Sequence, residues 1–424
     1  MKKIMIIFIF AFVFIFSGCT TGRELKKSAL YLTADIESTN YRKVLGSPNK
    51  EVKLNDAFLS SLSDFSYLTS SKLLMNKNGT YSPISLYIAL SMLAEVAAGT
   101  TREEIIDALG VNSIEVLRSG NEDLFKKLAY RNSISTLNLG NSIWLKKGGI
   151  YKDEPLQTLD ERYHASSFGV DFTLDNTKKI ISAWISQNTG DKLSLNDNFK
   201  LDPRTIFMII NTLYFIDKWR VEFEEKLNVD EDFYNGSSSK KVKYINGSFE
   251  ERFYEGVSYQ ASTLGYKNGG KIVFVLPKPG VGVEDIISNQ SLLKEAISLS
   301  KTEGCLINYQ IPKFKFKSEF NLLEFVRELG IETALSMGAD FSTLTDTEIY
   351  ISTIAQNTFI DVNEKGTEAA AYTKIIGVEK AAPPEKEVEM ILNRPFIFAI
   401  KVSNIPIFIG VVNDPSDNGI FNYS

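Results

Sequence analysis

The stretch NEKGTEAAAYTKIIGVEKAAPPEKEVEMILNRPF, Asn363 to Phe396, decides how the rest of the chain is read. It lies between plainly structured regions and carries no strong helix or core pattern, yet its first half is too regular for a slack linker. Under strand parity, Thr367, Ala369, Ala371 and Thr373 share one face, and Glu368, Ala370, Tyr372 and Lys374 share the other. The first face is small and the second mostly polar. Such a segment can slot between two existing strands, its small side inward and its polar side toward water. Gly366 supplies a flexible pivot just before it. Ordering each residue costs on the order of 1–2 kcal/mol, against roughly 1 kcal/mol net per backbone hydrogen bond and modest burial, so the strand is conditional. An unpaired charge at an inward place would decide against it, and none of the four inward places carries one.

Around this segment the chain reads as α+β. NGTYSPISLYIALSMLAEVAAGTT predicts a helix with Ser82 as its cap, Pro83 at its first position and Gly99 as a left-handed stop. Nearly every face from Ile84 to Ala98 is apolar or small, so this helix must be enclosed. A second helix follows, with Thr101 and Glu104 as a capping box and Gly110 at its end. Later the pattern turns to buried strands: Thr205 to Phe215, Lys271 to Pro277, Pro395 to Val402 and Pro406 to Val412. The last two, separated by Ser403 to Ile405, predict a hairpin. Helices lie mainly early and strands mainly late, which favours α+β over alternating βαβ units.

With 424 residues, 44% of them hydrophobic and 23% charged, the chain is globular. A formal charge of -5 and the lack of a basic run interleaved with aromatics exclude a nucleic-acid surface. The one histidine, His164, lies on a surface-like helical stretch and reads as a solvated or packing residue; a hydrolase would have to use it. No GxSxG, HExxH or paired CxxC is present, and the glycines from Gly269 to Gly282 lack phosphate-loop spacing. Glu103 and Glu104 have a structural explanation as helix-start residues. Neither a catalytic site, a metal nor a cofactor is expected.

The chain begins with Lys2 and Lys3, an apolar run from Ile4 to Phe16, then Ser17, Gly18 and Cys19. That run is shorter than the roughly 20 residues needed to span a bilayer, so it reads as an export signal over residues 1–18. The small pair before Cys19 resembles the lipobox of bacterial lipoproteins, although Phe16 stands where Leu is usual. That resemblance implies acylation of Cys19 and an anchor in a bacterial membrane, facing the periplasm or the cell surface. Cys305 is then left without an intrachain partner and reads as a buried small hydrophobe. Residues 19–50 read as a polar tether and 51–424 as one domain.

NEKGTEAAAYT resembles the reactive-centre-loop hinge of serpins, and the chain agrees with that family in order and spacing from Asn78 to Pro415. Asn78, Ser82, Pro83 and Ser85 match the family's early helix motif, followed by TTREEI at Thr100 to Ile105. ISAWISQNTGDK resembles the family's helix ending in Thr-x-Gly-Lys. INTLYFIDKW carries Asn211 and Trp219, similar to the family's shutter and breach residues. IPKFKF, LGIETALSMGADFSTL and NRPFIFAI complete the series. The departures are Asp217 and Asp191 where glycine is usual, Leu335 for Phe, Val411 for Arg, and Gln356 where many members have histidine. Gln356 can still donate and accept in a network with Ser82, Ser85 and Asn211.

The resemblance implies a fold of three β-sheets and eight or nine helices, with an exposed loop that baits a serine protease. Cleavage forms an acyl-enzyme, and the freed strand enters the central sheet and distorts the protease before deacylation. The implied hinge runs from Glu364 through Gly366, Thr367, Glu368, Ala369, Ala370 and Ala371 to Thr373. The usual spacing from Glu364 places the bait bond at Lys380-Ala381, suited to a trypsin-like protease, and a one-residue shift presents Glu379 instead. A monomer is expected, with the target protease and the membrane as partners. A noninhibitory binding or structural member of the same fold is the alternative.

Overall fold

The computed structural model of the protein describes residues 30–31, 48–49, 51–195, 199, 201–236, 238–351, 354–367, 386–417 and 420–423. In chain order its helices are α1 (Asp56–Leu73), α2 (Pro83–Val96), α3 (Gly99–Ala108), α4 (Ile114–Leu128), α5 (Asp153–Tyr163), α6 (Asp175–Asn188), α7 (Val283–Ile287), α8 (Gln290–Ser298) and α9 (Leu323–Glu328). The strands run from β1 (Leu30–Tyr31), β2 (Gly79–Tyr81), β3 (Tyr130–Arg131), β4 (Thr136–Lys146), β5 (Ala165–Val170) and β6 (Phe207–Lys218) to β7 (Val229–Asn235), β8 (Ser238–Glu255), β9 (Tyr259–Gly265) and β10 (Lys271–Pro277). They continue with β11 (Glu303–Pro312), β12 (Phe314–Asn321), β13 (Ala355–Asn363), β14 (Gly366–Thr367), β15 (Glu387–Ile391), β16 (Phe396–Val402), β17 (Ile405–Val412) and β18 (Ile420–Tyr423).

The central sheet has the order β1-β5-β4-β6-β14-β13-β12-β18, with β3 on β4. The second network runs β15-β11-β8-β9-β10-β16-β17-β2, with β7 on β8. The long β8 divides it: residues 238–253 pair with β7 and β11, and residues 253–255 with β9. The three expected sheets are thus the central one and the two parts that β8 joins.

The helix α2 is buried along almost its whole length, as its apolar faces require, and it packs between β6 of the central sheet and β17 of the second network. On the opposite face of the central sheet, α6 lays Ile181 and Trp184 over Trp144, Phe168 and Met208 in a separate apolar cluster. The central sheet is therefore sandwiched, and its strands carry apolar side chains on both faces.

The hairpin between β16 and β17 turns on two residues, with Ile405 already in the strand. Ser403 and Asn404 both take positive φ, 51° and 65°, as the primed two-residue turns of hairpins demand. Gly99, at φ +48°, opens α3 instead of merely ending α2. The expected capping box does not form there. The Thr101 hydroxyl accepts from the Asp340 amide at 2.9 Å, and the Glu104 carboxylate accepts from the Glu332 and Thr333 amides at 2.9 and 2.7 Å. Glu104 ties α3 to the start of a distant short turn of 3-10 helix, Thr333–Leu335, and Thr101 ties it to the loop beyond that turn.

His164 is a packing residue. It closes α5 in the left-handed conformation, and its ring lies 3.9 Å from that of Phe125. Burial pushes its imidazole down to about 4, and among the described residues no hydrogen-bond partner, and so no nucleophile, is set against Nε2. Cys305 is buried in the main core as expected of a small hydrophobe. Cys19 and the whole leader lie outside the described residues.

Candidate functional site

The strands β6 and β13 flank the centre of the main sheet, and β14 is wedged between their ends. Gly366 pairs with Lys218 on one side and Asn363 on the other, and Thr367 with Asp217 and Val362. Both ladders are antiparallel, so β6 and β13 run parallel to each other. Among the described residues, the only β pairing that links β6 and β13 passes through these two hinge residues. Two small cavities straddle the seam beyond them. One, of about 30 Å³, faces α2 and is lined by Ser85, Asn211, Ile354 and Gln356 among others. The other, of about 40 Å³, lies under α6 beside Ile185, Leu195, Thr212 and Asn357.

The wedge fits because of its residues. Gly366 has φ +151°, and a Cβ there would lie 2.1 Å from the Asp217 carbonyl oxygen, so no larger residue enters without moving β6. Thr367 is 2% exposed, and its hydroxyl meets that of Tyr266 at 2.6 Å. Tyr266 in turn stacks on Trp219, ring centroids 4.7 Å apart and planes 7° apart. Trp219 holds the turn before the hinge: its indole donates to the Asn363 carbonyl at 2.7 Å and its amide to the Lys365 carbonyl at 3.0 Å. The Phe223 amide donates to the Glu364 carbonyl at 2.9 Å.

Glu364 anchors the same turn by charge. Its carboxylate receives the Lys313 ammonium at 2.9 and 3.0 Å and the Asn228 side-chain amide at 2.6 Å. Partial burial works against the ionised form, but these donors win and hold the carboxyl below the ordinary glutamate range.

Deeper along the seam, Gln356 makes two bonds to the backbone at the start of α2, accepting from the Ser82 amide at 2.9 Å and donating to the Ser82 carbonyl at 2.8 Å. The Ser82 hydroxyl donates to that of Ser85 at 3.0 Å and does not cap the helix. Asn211 stands apart from this trio. Its amide donates to Asn141 at 2.5 Å, Asn141 donates to the Tyr163 carbonyl at 2.6 Å, and the Asn211 Oδ1 is buried with no partner among the described residues. An unpaired buried acceptor is costly and marks a place where a donor is missing.

Of the hinge, Glu364, Gly366 and Thr367 are placed. Glu368, Ala369, Ala370, Ala371, Thr373 and the bond Lys380-Ala381 lie outside the described residues, and the chain resumes in β15, which pairs parallel with β11. Sequence reasoning missed Tyr266, Lys313, Asn228 and Asn141. Only Asn141 left a readable trace, as a polar interruption in the apolar run of β4 directly across from Asn211. Asp191 is explained: it takes φ +63° immediately after Gly190 at +57°, and its carboxylate accepts from the Ser186 hydroxyl at 2.6 Å. Among the described residues no cluster of three or more His, Cys, Asp and Glu side chains converges on a metal position, and no described helix is long and apolar enough to cross a membrane.

Comparison with known proteins agrees with this geometry. The family model for Serpin (serine protease inhibitor) matches residues 60–415. The chain is 28% identical over 355 residues to Iripin-3 of Ixodes ricinus, covering 80% of this chain and 89% of the relative. It is 28% identical over 373 residues to Alpha-1-antiproteinase of Ovis aries, covering 84% and 88%. The native-state crystal structure of the thermophilic serpin tengpin superposes with a TM-score of 0.78 at 29% identity, over 91% of this chain and all of that one. The family inhibits proteases and does not catalyse. With its strand order, its hinge wedged between β6 and β13 and a family match over most of its length, the chain belongs to the serpin family.

Proposed function

We propose that this serpin is a suicide-substrate inhibitor of a trypsin-like serine protease, cleaved at Lys380-Ala381, and that the freed loop extends β14 along the seam between β6 and β13. The docked pair Gly366–Thr367 carries this reading, because it fixes a register for everything that follows. Continued from Thr367, that register sets Ala369 between Phe215 and Ile360, Ala371 between Leu213 and Thr358, and Thr373 between Asn211 and Gln356. The flanking residues of the first two pairs are buried, and small side chains fit among them without charge. The Thr373 hydroxyl arrives beside the Asn211 Oδ1, which has no partner among the described residues, and can supply the missing donor.

The test is incubation of the protein from residue 20 onward, which keeps β1 in the central sheet, with trypsin-like, Glu-selective and elastase-like proteases, followed by intact-mass analysis. The expected result is a covalent adduct with a trypsin-like enzyme and release of a peptide beginning at Ala381. A peptide beginning at Lys380 moves the bait to Glu379, and cleavage with no adduct for any enzyme rejects inhibition in favour of a binding role.

The leader supports export and anchoring through acylated Cys19, with the residues between Cys19 and β1 spacing the inhibitor from the membrane, since Leu30–Tyr31 already pair with β5 in the central sheet. The variant Cys19→Ala is expected to leave the membrane fraction and to lose labelling by a palmitate analogue. Equal labelling of the variant and the parent would reject the anchor.

A further inference from the structure

Asp217 stands on β6 where the family resemblance leads one to expect glycine, and its carboxyl occupies the point at which the hinge enters the sheet. The residue is fully buried, and it sits directly across the ladder from Thr367 on the same face. Its Oδ1 accepts from the Lys218 amide at 2.8 Å and its Oδ2 from the Asn268 amide at 3.3 Å. Among the described residues no ammonium or guanidinium forms an ion pair with it. The titratable groups that face it are Tyr130 from β3, and Tyr266 and Lys267 from the turn between β9 and β10. The Lys267 ammonium is held by Glu222 at 3.0 Å. Thr367 closes over this pocket when its hydroxyl joins that of Tyr266.

We infer that Asp217 makes docking of the hinge base proton-dependent: the neutral acid accommodates Gly366 and Thr367 between β6 and β13, and ionisation drives them out so that the carboxylate is hydrated. The burial that the docked hinge helps to impose pushes the carboxyl up to about 7, against the opposing pull of the two amides and Lys267. With the hinge released the pocket opens to water, and the group returns toward the ordinary aspartate value of about 4. Docking is therefore favoured below pH 4, weakens as pH rises from about 4 to 7 because release sheds a proton, and is level above that.

The inference rests on the hinge reading above, but its test observes docking without any protease. A failure to trap protease leaves this result standing, and the converse also holds. Amide hydrogen exchange of the intact protein is followed from pH 5 to 8, corrected for the intrinsic pH dependence. The segments to watch are 217–223 and 363–367, where the Trp219 and Phe223 amides donate to the Lys365 and Glu364 carbonyls. Protection there is expected to fall with rising pH, approaching tenfold per unit in the limit of one proton, and to level off above about pH 7. The β16–β17 hairpin reports no change. In Asp217→Asn and Asp217→Gly the profile of the hinge is flat. A flat wild-type profile, or an unchanged slope in either variant, overturns the inference.

Discussion

Cutting the loop once, at Lys380-Ala381, is expected to raise the midpoint of thermal unfolding by more than about 10 °C, although a covalent bond has been lost. Nicking most proteins does the reverse, since it gives the unfolded chain more freedom. Here the cut frees a strand whose position is prepared. Each inserted residue pairs its N–H and C=O with β6 or β13, so some ten residues gain about twenty hydrogen bonds at roughly 1 kcal/mol net each, against about 1–2 kcal/mol per residue of lost freedom. The surplus, with Ala369, Ala371 and Thr373 buried and the Asn211 acceptor satisfied, is on the order of 10 kcal/mol. For a domain of this size, 1 kcal/mol moves the midpoint by about 1–2 °C. Calorimetry on intact and nicked protein decides the matter: a nicked form that melts no higher than the intact one leaves no energy with which to distort a protease.

The fold was largely legible because its signals are local and redundant. The continuous apolar runs of β6, β10, β16 and β17 identify strands covered on both faces, and the uniformly apolar α2 has nowhere to go but between sheets. The hinge was legible for a different reason. Its parity is a two-residue period, and Thr367 shows the expected face buried against Tyr266. What was not legible came from pairs far apart in the chain. Glu104 reads as a helix cap from its spacing to Thr101, yet its carboxylate is used by amides more than two hundred residues away. Lys313 and Asn228 carry no mark as partners of Glu364, because any exposed Lys or Asn looks the same until the sheets are assembled.

The sequence also describes the second face of the inserted strand incompletely. Parity alone sends Ala370 and Tyr372 toward water. In the register set by Thr367, position 370 lies between Tyr214 and Phe359, whose ring has the Lys315 and Lys192 ammonium groups at 5.3 and 5.9 Å. Position 372 falls between Thr212 and Asn357, both of which line the cavity beneath α6. At about 40 Å³ that cavity does not hold a phenol ring until α6 or the segment after it gives way.

A set of three variants turns that geometry into the most demanding test. Ala369→Glu is expected to be cleaved at the bait bond as fast as the parent and to trap almost no protease, because its carboxylate must pass between Phe215 and Ile360. Leaving an unpaired charge there costs several kcal/mol, which is more than a hundredfold in the partition between insertion and deacylation. Ala370→Glu, the same change one residue later, faces Lys315 and Lys192 across the sheet and is expected to trap as the parent does. Tyr372→Ala removes the ring that has to force its way under α6. A barrier lowered by about 1 kcal/mol speeds insertion roughly fivefold, and the number of inhibitor molecules consumed per protease trapped falls accordingly. The measurements are the stoichiometry of inhibition and the rate of adduct formation with one trypsin-like enzyme. If Ala369→Glu and Ala370→Glu behave alike, the strand does not enter in the register fixed by Thr367. If Tyr372→Ala is no faster than the parent, α6 does not stand in its path.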